Sequence, residues 1–386
     1  MNIEIVKDHT IKSRAYFRIF TSSGMQVTLG TYGAAIEDIT LPFTDHAVGR
    51  DCPASADRSE LRHSIVLKEA DEAALLRSGS YAGRTLAPNA GRISRSALNI
   101  EGHCYTLMPN EGQNQLHGGP HNLAHVDWEV ESQEQAPDSV RITFTAEQAD
   151  GVDGYPGNRK YRVEYSVEDT GWIRVKYHAE SDQATYINMS NHTYWNLTVP
   201  EILQNQVADG SKEYQADPCQ GSGLRQELEI SANNVVLNDD QSLPRDIIPV
   251  SGTAFDFRTP AVIAHMLHSE ILRDDITDRQ FLIGRGYNNA YILTRANLNR
   301  RVRGVKREDA LKKACTLLDP VSGHKMIMMT DAPALVLYTG GYLDVPSSYI
   351  ALEAQDIPDV GNLLPERMQI TDPEHPFHRE IRYRIS

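Results

Sequence analysis

Cysteine is scarce in this chain of 386 residues: Cys52, Cys104, Cys219 and Cys315 lie far from one another. With no Cys-x-x-Cys pair, zinc ribbons and thioredoxin-type redox sites are excluded. Neither His-x-His nor His-Glu-x-x-His occurs, so no metal is expected. Also missing are a Gly-x-Ser-x-Gly elbow, a P-loop and a dinucleotide fingerprint. No window reaches the roughly 18 consecutive apolar residues of a membrane span. Basic residues are outnumbered, with 38 Lys plus Arg against 52 Asp plus Glu and a formal charge of −14. That balance argues against nucleic acid and anionic membranes as partners, since both need a dense cationic surface. Residues 1–8 carry no basic segment leading into an apolar run, and the expected compartment is the reducing cytoplasm.

Helical signal is sparse, confined to Glu69–Leu76 and Pro260–Leu267. Strand signal is abundant. Val140–Thr145, Tyr161–Val167 and Ile173–Tyr177 alternate apolar and polar residues, with Asp169-Thr170-Gly171 as a turn between the last two. Short β-branched or aromatic runs at Tyr16–Phe20, Gln26–Leu29 and Ala35–Leu41 follow the same rhythm. A period of two buries one face and wets the other, the mark of antiparallel sheets. The expected fold is all-β, a large sandwich or barrel with few short helices. Length alone allows two or three domains, but all-β units often exceed 200 residues. Asp45–Arg62, Pro200–Gly223 and Arg295–Lys313 read as surface insertions, the last a basic loop or short helix.

Four polar constellations lie beside the strand-like segments. In Asn114–Gly119, two glycines follow His117 and would let backbone approach a ligand; a plain hairpin turn is the alternative. Asn188–Leu197 sets His192 among asparagines, Tyr194 and Trp195, a face suited to sugar hydroxyls and C–H surfaces. A register-fixing polar network is its alternative. In Tyr349–Asp359, alternation brings Glu353 and Gln355 to one face, and a carboxyl raised toward neutrality makes a general base; a surface ion pair is the other reading. Asn89–Ser94 offers Arg92, either a hydroxyl-binding guanidinium or a structural one. The residues thus supply one carboxylate and two histidines, an acid–base set that calls for no cofactor.

Together and in this order, these segments resemble the aldose 1-epimerase (galactose mutarotase) family from about Ser64 to Asn362. Gly91-Arg92-Ile93, Leu116-His117-Gly118-Gly119 with Trp128, and Asp153–Gly157 carry the likeness. So do Asn191–Leu197, Gly252–Arg258, Tyr338-Thr339-Gly340, and Leu352–Gln355 with Pro358-Asp359. The resemblance implies one domain over residues 1–386, a large antiparallel β-sandwich of the galactose mutarotase type with an open cleft. It implies a free sugar as substrate, no cofactor, and a monomer or homodimer. Glu353 would take the proton from the anomeric C1 hydroxyl while His192 protonates the ring oxygen. Arg92, His117, Asn288 and Gln355 would bind the sugar.

Some positions depart from the family pattern. Asn288 stands where the family has an Asp, and a neutral acceptor binds a hydroxyl more weakly, at about 0.5–1.5 against 1.5–3 kcal/mol. Val336 replaces a Gln, Gly341 an Asn and Gly91 another Asn. These changes point to an aldose other than galactose or glucose. Two other readings use the same residues. One is a non-catalytic carbohydrate-binding or regulatory module on this fold. The other is an enzyme of sugar phosphates or glycosides, with Arg84 and Arg258 as candidate phosphate ligands.

Overall fold

Segments with a period of two pair into long ladders. In the computed structural model, which describes residues 1–7, 14–42, 62–69, 72–198, 221–272, 274–294 and 311–386, every ladder between strands is antiparallel. Nine strands form the largest sheet, in the order Glu129–Gln135, Ser139–Gln148, Arg159–Glu168, Trp172–Ser181, Phe377–Ile385, Lys325–Thr330, Lys312–Leu318, Glu227–Ile230 and Ala261–Val262. Ile142 pairs with Tyr165, Tyr165 with Val175 and Val175 with Ile381, a row of buried apolar side chains across four strands. A one-residue slip would turn that row to water, so burial fixes the register. On the outer face Arg141, Arg162 and Lys176 surround Glu164. Such exposed pairs add little stability.

A five-stranded sheet runs Asn2–Lys7, Ala15–Phe20, Gln26–Gly30, Ala35–Pro42 and Arg62–Ser64. A six-stranded sheet runs Tyr194–Trp195, Ile350–Gln355, Ala334–Tyr338, Asn288–Leu293, Ala232–Asn238 and Pro244–Pro249. All three sheets feed one core, which joins Phe17 and Ile39 to Tyr165, Val175 and Tyr383, and these to Tyr291, Leu335 and Leu352. Val236, Ala290, Ala334 and Val336, on the other face of the six-stranded sheet, pack into a smaller cluster with Ile93, Tyr155 and Ile357. That sheet is therefore covered on both sides, and all six residues of Ile350–Gln355 are buried. Two of them, Glu353 and Gln355, are polar, a costly placement that needs a compensating role.

The all-β expectation is met, with a few short helices. Glu72–Ser78 forms one of them, shifted from the expected span. The segment after Pro260 divides into a strand at Ala261–Val262 and a helix at Ile263–Leu267. The helix Asp275–Gly284 was not foreseen; Asp274 caps it by accepting from Thr277 N at 2.7 Å. Its Gln280 Oε1 accepts from Asn238 N at 2.8 Å and Asn289 Nδ2 at 2.9 Å, tying it to the six-stranded sheet. No helix among the described residues is long and apolar enough to cross a membrane. The expected insertions lie almost wholly outside the described residues; Arg62, residues 221–223 and residues 311–313 at their ends are ordered parts of the fold.

Candidate active site

Glu353 enters a cleft of about 590 Å³ from the middle of Ile350–Gln355. Its cross-strand neighbour is Val336, itself opposite Ala290, so the floor beside the carboxylate is apolar. Desolvation pushes the Glu353 carboxyl up to about 8, against a smaller opposing pull from the Arg92 charge. His192 faces it across the cleft with Nε2 3.7 Å from Oε1, both side chains 6% exposed. Desolvation draws His192 down to about 4. Glu353 Oε2, His192 Nδ1 and Gln355 Oε1 are buried and have no hydrogen-bond partner among the described residues. Unpartnered buried polar atoms are uncommon in folded proteins and ask for an explanation; here all three belong to residues lining one cleft.

Local geometry explains how these groups are held. Asn188–Leu197 holds two short strands, Ser190–Asn191 and Tyr194–Trp195. Between them Asn191 Oδ1 accepts from Thr193 N at 3.0 Å and from its hydroxyl, a side-chain turn that interrupts the ladder at His192. Most of the asparagines here are structural. Asn188 joins Asn89, Ala90, Arg379 and Asp356 N; Asn191 holds Gly83 O, and Asn196 holds Ser348 O. Of this run only His192 and Tyr194 line the cleft.

His117 adopts φ +49°, and its Nδ1 accepts from Gly91 N at 3.2 Å. That bond places the ring proton on Nε2, turning the other nitrogen into a donor. Desolvation, then the charges of His192, Arg92 and His125, pull His117 well below the ordinary value. The two glycines after it serve the protein rather than a ligand. At φ +89°, a Cβ on Gly118 would lie 2.6 Å from Pro88 Cδ, and one on Gly119 2.8 Å from the Asp153 carboxylate. Tyr81, also at positive φ, packs on His117 at 4.8 Å between centroids and stacks on His192 at 6.2 Å.

All six residues singled out from the sequence, Arg92, His117, His192, Asn288, Glu353 and Gln355, line this cleft. Arg92 is already engaged: Nε and Nη2 donate to the two oxygens of Glu111 at 2.6 and 2.7 Å. Asn288 is held through its backbone, whose carbonyl accepts from Asn238 Nδ2 at 2.7 Å. The arginines considered for phosphate lie elsewhere and are paired, Arg84 with Glu37 and Arg258 with Asp256. A larger depression of about 980 Å³ lies on the outer side of the nine-stranded sheet. Its acids Glu131 and Glu147 are exposed partners of Arg162 and Lys160. Of these two depressions, the smaller combines buried acid and base groups that have atoms without a partner among the described residues. Among the described residues, no group of three or more His, Cys, Asp or Glu side chains is arranged to hold a metal ion.

The sequence model of aldose 1-epimerases matches residues 17–384. The chain belongs to the aldose 1-epimerase family. It is 29% identical over 360 residues to an aldose 1-epimerase of Escherichia coli K12, covering 90% of this chain and 88% of that one. A maltose epimerase of Levilactobacillus brevis is 24% identical over 346 residues, 87% of this chain and 84% of the other. A crystal structure of a galactose 1-epimerase from Lactobacillus acidophilus superposes with a TM-score of 0.74 at 23% identity, covering 100% and 99% of the two chains, a likeness of fold. In this epimerase the unforeseen cleft residues include Glu111, Tyr81 and Asn238. Glu111 offered no signal, standing in a polar loop 19 positions from its partner Arg92. Asn238 ends the strand Ala232–Asn238, where the period of two puts it on the same face as Val236.

Proposed function

We propose that Glu353 and His192 are the acid–base pair with which this epimerase interconverts the α and β anomers of a free aldose. The carrying observation is their placement: an acid and an imidazole, both buried, 3.7 Å apart, with unpartnered atoms in one cleft. Between about pH 4 and about pH 8 the pair holds a single proton. Ring opening uses it on His192: the Glu353 carboxylate takes the C1 hydroxyl proton, the C1–O5 bond breaks, and the imidazolium protonates the ring oxygen. The proton now sits on Glu353. After rotation about C1–C2, the neutral His192 takes the proton of the C5 hydroxyl as its oxygen attacks C1, and Glu353–H protonates the new C1 oxygen. Each cycle returns the proton to His192, and no outside donor is needed.

In the unliganded protein the shifts favour the proton on Glu353. A sugar hydroxyl donating to Glu353, with the Arg92 charge nearby, stabilises the carboxylate and readies the pair for opening. His117 Nε2–H donates to the sugar, Gln355 Oε1 accepts from it, and Asn288 replaces a charged acceptor with a neutral one. That exchange and the apolar Val336 favour an aldose other than galactose. The single core shared by the three sheets supports one domain, and the scarcity of cysteine fits action in the cytoplasm. Anomer exchange in Glu353→Gln and His192→Asn tests the assignment: each change should cost at least about 10²-fold in kcat. Near-normal exchange in either purified variant would sink it.

A further inference from the structure

A working imidazole is usually oriented by a hydrogen bond at the ring nitrogen that does no chemistry. His117 has one, from Gly91 N to Nδ1. In His192 the corresponding Nδ1 has no partner among the described residues, so ring packing is left to set how Nε2 faces Glu353. The segment that supplies the packing is tied to the His192 backbone on both sides. His192 N donates to Arg84 O at 2.9 Å, and Gly83 N donates to His192 O at 3.0 Å. In the same segment Arg84 N donates to Tyr81 O at 3.0 Å and closes a turn. Tyr81 sits there at φ +56°, a left-handed conformation that is rare for a bulky residue and persists only where its surroundings enforce it. A Cβ on Gly83 would lie 2.0 Å from Ile36 O, so the turn has little room to shift. From this turn the Tyr81 ring reaches both cleft histidines, with centroids 4.8 Å from His117 and 6.2 Å from His192, whose own rings are 5.4 Å apart.

We propose that Tyr81 is a positioning residue for the acid–base chemistry: its ring, fixed by the left-handed turn, keeps the His192 imidazole directed at Glu353. The Tyr81 hydroxyl takes no part in proton transfer. Burial raises it above its ordinary value, and the Asn122 side chain hydrogen-bonds it. The ring alone does the positioning, so phenylalanine should serve in its place. The proposal rests on the epimerase reading of the same cleft.

The test is anomer exchange by NMR on a panel of free aldoses and reducing disaccharides, with the unaltered protein, Tyr81→Phe and Tyr81→Asn. Asparagine accepts the left-handed conformation better than most residues, so Tyr81→Asn removes the ring and spares the turn. Tyr81→Asn should lower kcat about 10- to 100-fold with KM changed by less than about twofold, the result of a displaced catalytic group rather than a lost sugar contact. Tyr81→Phe should keep kcat within about twofold. The nitrogen-15 ring resonances of His192 should move in Tyr81→Asn and stay in place in Tyr81→Phe. Tyr81→Gly, which also suits the left-handed turn, replaces Tyr81→Asn if that variant does not fold. Unchanged kcat without the ring, a rise in KM alone, or equal losses in Tyr81→Phe and Tyr81→Asn overturns the positioning role alone. No exchange on any sugar by the unaltered protein overturns the epimerase reading and this proposal with it.

Discussion

Replacing Glu353 by Gln removes the carboxyl that the fold keeps dry, and stability should then depend on pH in a defined way. In the unfolded chain this carboxyl ionises near 4.5; in the folded protein it keeps its proton up to about 8. The stability carried by that retained proton is fully present below 4.5 and is lost as pH rises through 8. At about 1.4 kcal/mol per pH unit, the interval from 4.5 to about 8 amounts to about 5 kcal/mol. Gln does not titrate, and the His192 titration is common to both proteins. The variant's advantage should therefore grow from its value near pH 4.5 by about 3 kcal/mol at pH 7 and about 5 kcal/mol above pH 8. Urea denaturation of both proteins from pH 5 to pH 9 measures it directly. A difference that does not change with pH, or that grows in favour of Glu353 as pH rises, would show that Glu353 does not hold its proton in the folded protein.

The one-proton requirement gives kcat/KM a bell-shaped pH profile, falling below about pH 4, where the pair gains a second proton, and above about pH 8, where it loses its only one. Initial polarimetric rates at low sugar concentration measure it; a profile flat through pH 9 would contradict the assignment. Restoring charge with Asn288→Asp should lower the galactose KM about fivefold by turning a neutral acceptor into a charged one. An unchanged galactose KM would show that Asn288 does not touch the sugar.

Much of the site was legible because two of its parts obey simple periodicities. Glu353 and Gln355 share a face by the period of two, and the buried strand confirms it with Leu352 and Ala354 on the main core. Arg92 follows the turn residue Gly91 and His117 precedes Gly118 and Gly119, and the pairing of Gln115–Leu116 with Arg92–Ile93 brings the two together. The asparagines around His192 were harder to judge. A buried amide serves a sugar or a backbone carbonyl equally well, and here backbone took Asn191 and Asn196. The Arg92–Glu111 pair depends on a loop contact that has no period. The helix Asp275–Gly284 carries Asp275, Asp278, Arg279 and Gln280 among few apolar residues, so its apolar stripe is weak; its cap at Asp274 was the readable sign.

The central claim is that this cleft catalyses anomer exchange rather than merely holding a sugar. Its most direct test is polarimetry of freshly dissolved single-anomer aldoses and reducing disaccharides at neutral pH, with increasing amounts of the unaltered protein. For at least one of these sugars the rate of approach to anomeric equilibrium should rise in proportion to protein and vanish with Glu353→Gln. Saturable sugar binding with the uncatalysed rate throughout would contradict it and leave a carbohydrate-binding module in its place.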